Sequence, residues 1–388
     1  MTQGRPVRIL LFTGKGGVGK TTLAAATAAR LAVGGRKVLV ASADPAHSLG
    51  DVFGVPVGSE PSEVDTCLYA AHVDARGLVD RSWQDIRSQL RGTLAGLGLD
   101  ELDAAELTVL PGVDELLALT EVARLATEGP WEVVVVDCGP TAETLRLLAL
   151  PEAIAGYLDR LSGPKRIALG GKGSRDAIGR LAAHLGTLRR LLVDPAVTSV
   201  RLVLTPERLV VAETRRTLAA LALRGITVDC LVANRLVPKA KRWHGPAANW
   251  LRTRRAEQDA VLSELDSSTR LPVHLVEHRP AEPVGTQSLL ALAADLYGDA
   301  DPLDSDGPFA TPLLAIRAVD SAYELTVALP LTDGSDVDLV RVGDELAITV
   351  DGVRRLVALP VLLRRHVVTD AVTGKDGLVL RFESGGPA

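Results

Sequence analysis

The sequence predicts an α/β protein: a mostly parallel sheet with helical insertions, followed by a small all-β sandwich. Three observations carry this. Short β-branched runs alternate with longer Ala/Leu stretches as far as about residue 298, the pattern of strands covered on both faces by helices. A glycine-rich loop, 13-TGKGGVGKTTL-23, stands between the first such run and the first helical stretch. Beyond an acidic, Pro/Gly-rich segment, 298-GDADPLDSDGP-308, apolar residues recur at period two with Asp-Gly pairs between them, as antiparallel hairpins require.

The strands follow in order as 7-VRILLF-12, 37-KVLVAS-42, 132-EVVVVD-137, 200-VRLVLT-205, 228-VDCLVAN-234 and 272-PVHLVE-277. Helical stretches between them include 20-KTTLAAATAARLAV-33 and 207-ERLVVAETRRTLAALALR-224. Two intervals, 75–129 and 141–195, are long and helix-rich and read as insertions on one edge of the sheet. Residues 1–298 are thus expected to form one α/β domain with no internal repeat. Residues 299–308 read as a linker and 309–388 as the β domain. In the latter, Tyr323, Leu325, Val327 and Leu329 alternate with other residues. Similar alternation marks 345-ELAITV-350 and 378-LVLRFE-383, and Asp-Gly pairs fall at 333–334, 351–352 and 376–377.

Bulk properties narrow the partners. A net charge of −5 over 388 residues gives no basic field for nucleic acid. At 3% aromatics the chain lacks stacking platforms for single strands. No apolar run reaches the roughly 18–20 residues of a membrane span, so stable membrane insertion is not expected. The N-terminal apolar run ends in the glycine loop and reads as a strand, not a signal peptide. Cys67, Cys138 and Cys230 lie far apart; an odd, scattered set fits a reducing cytoplasm. No Cys-x-x-Cys is present to clasp zinc locally.

The loop carries Gly14-x-x-x-x-Gly19-Lys20-Thr21. Between a strand and a helix, Gly14, Gly16, Gly17, Val18 and Gly19 would turn backbone N–H groups toward phosphate oxygens. Lys20 would meet the β- and γ-phosphates of ATP, Thr21 would offer its hydroxyl to Mg²⁺, and Thr22 is expected among the nucleotide-binding residues. Lys15 is surplus to this motif, and the chain has only eight lysines. It is either a solvated side chain on a turn or a cation lent to a second identical subunit across a face-to-face dimer. The latter role, like that of an arginine finger, is worth about 10³–10⁵ in rate.

Two carboxylates end neighbouring strands. Asp44, in 44-DPAHSLGDVF-53, could orient the attacking water or hold Mg²⁺ through water; it could equally cap a helix before Pro45. His47 reads as a local hydrogen-bonding residue. Asp137, in 133-VVVVDCGP-140, suits the metal's outer shell, with Gly139 allowing close backbone approach to the γ-phosphate. Asn234 could read adenine with its amide or cap its strand. A second glycine-lysine run, 170-GGKGS-174, reads as a bend.

These residues resemble the deviant Walker A class of ATPases. DPAHSLGDVF, LPGVDELLAL at 110–119 and DCGPTAETLRLLALPE at 137–152 are similar to the ArsA family, which comprises arsenite-pump ATPases and ATPases that target tail-anchored membrane proteins. The resemblance implies an intersubunit contact for Lys15, water activation by Asp44 in a first switch and a second switch at Asp137. It also implies an adenine site around Thr205, Pro206, Glu207 and Asn234. A nucleotide-dependent homodimer that binds hydrophobic client segments, chaperone-like, is the function implied; the alternative is an ATPase partner of arsenite efflux. The chain departs from the family in lacking a dimer-bridging zinc motif, the pump's cysteine cluster, a second ATPase half and a Met-rich groove. Its C-terminal stretch 371-AVTGKDGLVLRFE-383 is similar to the α-crystallin domain of small heat-shock proteins, without the Ile-x-Ile tail.

Overall fold

The computed structural model describes residues 7–44, 48–73, 113–140, 183, 186–240, 244–269, 271–304, 314–319, 322–327, 329, 336–374 and 377–384. In chain order the elements are β1 (Arg8–Gly14), α1 (Lys20–Val33), β2 (Val38–Ser42), α2 (Leu49–Phe53), β3 (Ser62–Asp65), β4 (Leu68–His72), α3 (Val113–Glu128), β5 (Val133–Pro140) and β6 (Thr198–Leu204). They continue with α4 (Arg208–Leu223), β7 (Val228–Leu236), α5 (Pro246–Ser268), β8 (Val273–Glu277) and α6 (Thr286–Tyr297). The β-rich end holds β9 (Leu314–Val319), β10 (Ala322–Val327), β11 (Val337–Val342), β12 (Glu345–Val350), β13 (Val353–Ala358), β14 (His366–Gly374) and β15 (Gly377–Ser384). All six strands expected in the α/β part are present. Of the expected insertions, residues 113–128 and 186–193 are helical. Residues 75–112 and 141–182 lie outside the described residues, as do His47 and the 170–174 run.

The chain divides into two compact units. The first comprises residues 1–16, 20–199 and 283–294. Its strands are hydrogen bonded in the order β3-β4-β2-β5-β1, with β4, β2, β5 and β1 parallel and β3 antiparallel at the edge. Ile9–Phe12, Val38–Ala41 and Val133–Val136 are almost wholly buried, which is why these runs are continuously apolar rather than alternating. Pairing sets Ser42 and Phe12 level with Asp137. The strand ends that bear polar residues are therefore held side by side. Helix α1 covers this sheet with Leu23, Ala24, Ala28 and Leu31. Its alanines favour helix and permit close packing. It stops where Gly35 takes φ 86° and Arg36 N–H reaches back to the Leu31 carbonyl at 3.3 Å, a left-handed C-terminal cap.

The second unit comprises residues 17–19, 200–282 and 295–388. It holds the parallel strands β6-β7-β8 and two antiparallel sheets, β14-β15-β10-β9 and β11-β12-β13. Leu325, Val327, Leu346, Ile348, Leu380 and Phe382 from both sheets share one core, so the β domain is a sandwich. Asp351 and Gly352, with φ 49° and 82°, make the expected Asp-Gly turn between β12 and β13; both residues are left-handed, as a two-residue hairpin loop demands. Ala219 and Leu223 of α4 belong to the same core.

Arg201 on β6 and Asp229 on β7 form an ion pair with side chains 2% and 1% exposed. Arg201 also donates to the Tyr297 hydroxyl at 2.8 Å and to the Pro302 carbonyl. The first residues of the expected linker, 299–304, are thereby fastened, while 305–308 lie outside the described residues. Each group in this cluster has a partner, so the buried charges are tolerated. Arg201→Met removes one partner and strands the Asp229 carboxylate. It should lower stability by about 3–5 kcal/mol in chemical denaturation, and Arg201→Met/Asp229→Leu should recover most of the loss.

Candidate nucleotide site

The loop between β1 and α1 is shaped by glycines at positions no other residue serves well. Gly17 and Gly19 have φ of 78° and 97°, left-handed values that cost other residues conformational energy. A Cβ on Gly19 would sit 2.4 Å from Asn234 Nδ2. A Cβ on Gly16 or Gly17 would meet nothing within 4 Å: the outer side of the loop is open space. Helix α1 has no acidic residue in its first turn, so the partial positive charge of its N-terminus is left for an anion. Lys20 begins that helix, 5% exposed, with Nζ 3.5 Å from the Lys15 carbonyl oxygen. Thr21 and Thr22 follow it, half-buried. Lys15 itself is exposed. Two lysines five residues apart thus occupy opposite environments.

Behind the loop lies a hydroxyl–carboxylate cluster. Thr21 Oγ1 donates to Asp137 Oδ2 at 2.7 Å, and Ser42 Oγ donates to the same oxygen at 3.2 Å. Ser48 Oγ lies 3.2 Å from Thr21 Oγ1. Asp137 is fully buried, and its second oxygen, Oδ1, has no hydrogen-bond partner among the described residues. Burial pushes the Asp137 carboxyl up to about 6, against the opposing pull of the Thr21 hydrogen bond and the Lys20 charge. Asp44 follows β2, half-buried, and its N–H donates to Ser42 Oγ at 3.3 Å. The helix α2 begins after Ser48, its N-cap residue; Asp44 does not cap α2.

An unsatisfied buried carboxylate oxygen beside a threonine hydroxyl is a donor set that fits magnesium, a hard cation that prefers oxygen and keeps several waters. Among the described residues no three His, Cys, Asp or Glu side chains gather into a ligand group. A magnesium ion here would therefore be held by Thr21 and nucleotide oxygens, with Asp137 and Asp44 in the shell of water around it.

In the second unit, Asn234 lies two residues before the end of β7, beside the end of β6, where Leu204 pairs with Ala233. Its Nδ2 donates to the Val18 carbonyl at 2.8 Å and its Oδ1 accepts the Arg235 N–H at 2.8 Å. Each end of the amide thus makes one bond within the chain, so Asn234 braces the loop while a second N–H and a second lone pair remain for a ligand. Pro206 is buried and Glu207 exposed at the start of α4. Cys67 and Cys138 stand apart: Cys67 immediately precedes β4, and its carbonyl accepts Val38 N–H at 2.9 Å, while Cys138 lies five residues beyond Val133, the residue level with Val38. That separation is roughly 16 Å along the strands. Burial pushes the Cys138 thiol up to about 12 and raises that of Cys230.

Sequence reasoning missed Ser42 and Ser48. The signal was present at Ser42: a serine two residues before an aspartate at a strand end can accept the N–H two positions on.

A glycine loop between a parallel strand and a helix, with a lysine at the helix start and an aspartate after four valines on a neighbouring strand, defines a P-loop ATPase. The chain belongs to the ArsA family: the family model described as anion-transporting ATPase matches residues 7–298, and a model for the HSP20-like domain found in ArsA matches residues 320–382. The Mycobacterium tuberculosis protein Rv2184c is 37% identical over 97% of this chain and 96% of its own. A Chlorobaculum tepidum protein named "Putative arsenical pump-driving ATPase" is 34% identical over 97% of this chain and 96% of its own. An Aquifex aeolicus protein of similar name is 30% identical over 96% and 99%. The chain is accordingly an ATPase and a nucleotide-binding protein.

A carboxyl whose pKa is higher in the folded than in the unfolded chain holds its proton more tightly when folded. Its contribution to stability is present below the unfolded value of 3.8 and is lost as pH rises through about 6. For Asp137 this amounts to about 3 kcal/mol. In the nucleotide-free protein, Asp137→Asn should flatten the fall in unfolding free energy between about pH 4 and pH 7 by that order. Denaturation at a series of pH values measures it.

Proposed function

We propose that the chain is an ATP-driven switch that works as a homodimer and handles hydrophobic client segments. The observation that carries this reading is the sharing of Asp137 Oδ2 between Thr21 and Ser42: one carboxylate joins the phosphate loop to the ends of both strands that would sense the γ-phosphate. In the proposed reaction Asp44 orients a water for attack on the γ-phosphorus. The bond to the β-phosphate breaks, and ADP and phosphate leave. Lys20 and the loop N–H groups balance the charge on the phosphate oxygens. Magnesium, bound with the nucleotide, would neutralise charge on the β- and γ-oxygens.

Lys15 is assigned to the site of a second copy. Its exposure at the loop rim, against the burial of Lys20, supports that assignment. The client reading draws support from the HSP20-like match and from apolar side chains exposed on the sandwich, including Val342, Val361, Val367 and Val372. The expected client groove falls mostly outside the described residues. Among the described residues no helix is long and apolar enough to cross a membrane.

Service to an arsenite efflux pump is a second reading, favoured by the names of the Chlorobaculum and Aquifex relatives. Metalloid capture needs thiolates close together. Cys67 and Cys138 stand at opposite strand ends, and Cys138 holds its proton tightly, which weighs against it.

Lys15→Ala should leave ATP affinity near wild type, lower turnover by at least about a hundredfold and abolish dimer formation with a hydrolysis-resistant ATP analogue in sedimentation. Unchanged turnover would remove the trans role. A hydrophobic helical peptide should bind with an affinity that differs between the ATP-analogue and ADP states. Flat affinity, together with arsenite stimulation lost on Cys→Ser substitution, would favour the pump reading instead.

A further inference from the structure

We infer that Ser42 is a positioning residue for ATP hydrolysis: its hydroxyl fixes Asp44 relative to Asp137, so that the two strand ends act as one part. The inference rests on the reading of Asp44 as the residue that orients the water, and adds a residue to that reading.

The bonding directions are fixed by chemistry. A backbone N–H only donates, so the 3.3 Å contact runs from Asp44 N–H to Ser42 Oγ. The hydroxyl has a single proton, and it goes to Asp137 Oδ2 at 3.2 Å. The result is a chain of two bonds, Asp44 N–H to Ser42 O–H to Asp137 carboxylate. Ser42 is 1% exposed, so water does not compete for its hydroxyl. A second link runs in parallel: Ala43 N–H donates to the Asp137 carbonyl at 2.8 Å. On the other side, Ser42 pairs with His72 across β2 and β4, and its carbonyl accepts Val73 N–H at 2.8 Å. Ser42 is thus clamped between neighbouring strands. What its hydroxyl adds is the hold on the backbone of Asp44, where the strand has ended.

A purely local turn would need only the bond to Asp44. The bond onward to Asp137 is the part that a local role does not explain. Asp137 Oδ2 also takes the Thr21 hydroxyl, the group proposed to face the metal. Any displacement of that carboxylate when Thr21 exchanges its partner is passed by Ser42 to Asp44. An alanine at 42 keeps the strand, its burial and the Ala43 link, and removes only this coupling.

The test compares Ser42→Ala, Ser42→Thr and Asp44→Asn in the full-length chain. ATP turnover, nucleotide affinity by titration and thermal melting are measured for each. Ser42→Ala should bind nucleotide within about twofold of wild type and turn over about tenfold more slowly, the effect of losing the two hydrogen bonds of one hydroxyl. Ser42→Thr keeps the hydroxyl and should restore turnover to within about threefold. Asp44→Asn should lose at least about a hundredfold, as expected of a group acting on the water. Wild-type turnover in Ser42→Ala beside an inactive Asp44→Asn overturns the coupling but leaves the role of Asp44 standing. Wild-type turnover in Asp44→Asn overturns that role, and this inference with it. Loss of melting temperature and nucleotide affinity in Ser42→Ala, without Thr rescue, marks Ser42 as structural and likewise overturns the inference.

Discussion

The site is organised around the desolvated carboxylate of Asp137. A charge within a buried strand is costly to hold, and the protein answers with two hydroxyl donors and a nearby lysine. The remaining oxygen has no partner among the described residues. That imbalance is one a nucleotide-bound cation would correct. The parallel pairing of β5 with both β1 and β2 supplies the geometry. It sets Asp137 level with Ser42 on one side and brings the loop after β1 alongside on the other.

Much of this was written plainly in the chain. Continuous apolar runs gave all six strands of the α/β part, because strands covered on both faces have no polar side to show. The loop motif located Lys20 and Thr21, and the four valines before Asp137 located the buried carboxylate. Asp-Gly at 351–352 announced a hairpin because two left-handed residues are needed there.

Other parts were hidden for physical reasons. The β3–β4 hairpin was not expected, since its turn is Thr66-Cys67 and Cys67 takes φ 60° without being glycine. The buried pair Arg201–Asp229 sits inside strands whose other residues are apolar, and only pairing across β6 and β7 makes it visible. Asn234 can be expected from the sequence either to read adenine or to cap its strand, but its bonds to the Val18 carbonyl and the Arg235 N–H are not foreseeable. No local pattern announces a bond spanning 216 positions.

The sharing of one core by the sandwich and helix α4 bears on how such chains can be built. Ala219 and Leu223 lie among the sandwich side chains, so the β-rich end is not a bead on a string. A version of this ATPase shorn of it would display a greasy helix face and invite self-adhesion. An ATPase of this kind built without the sandwich would need polar side chains at positions 219 and 223 of α4.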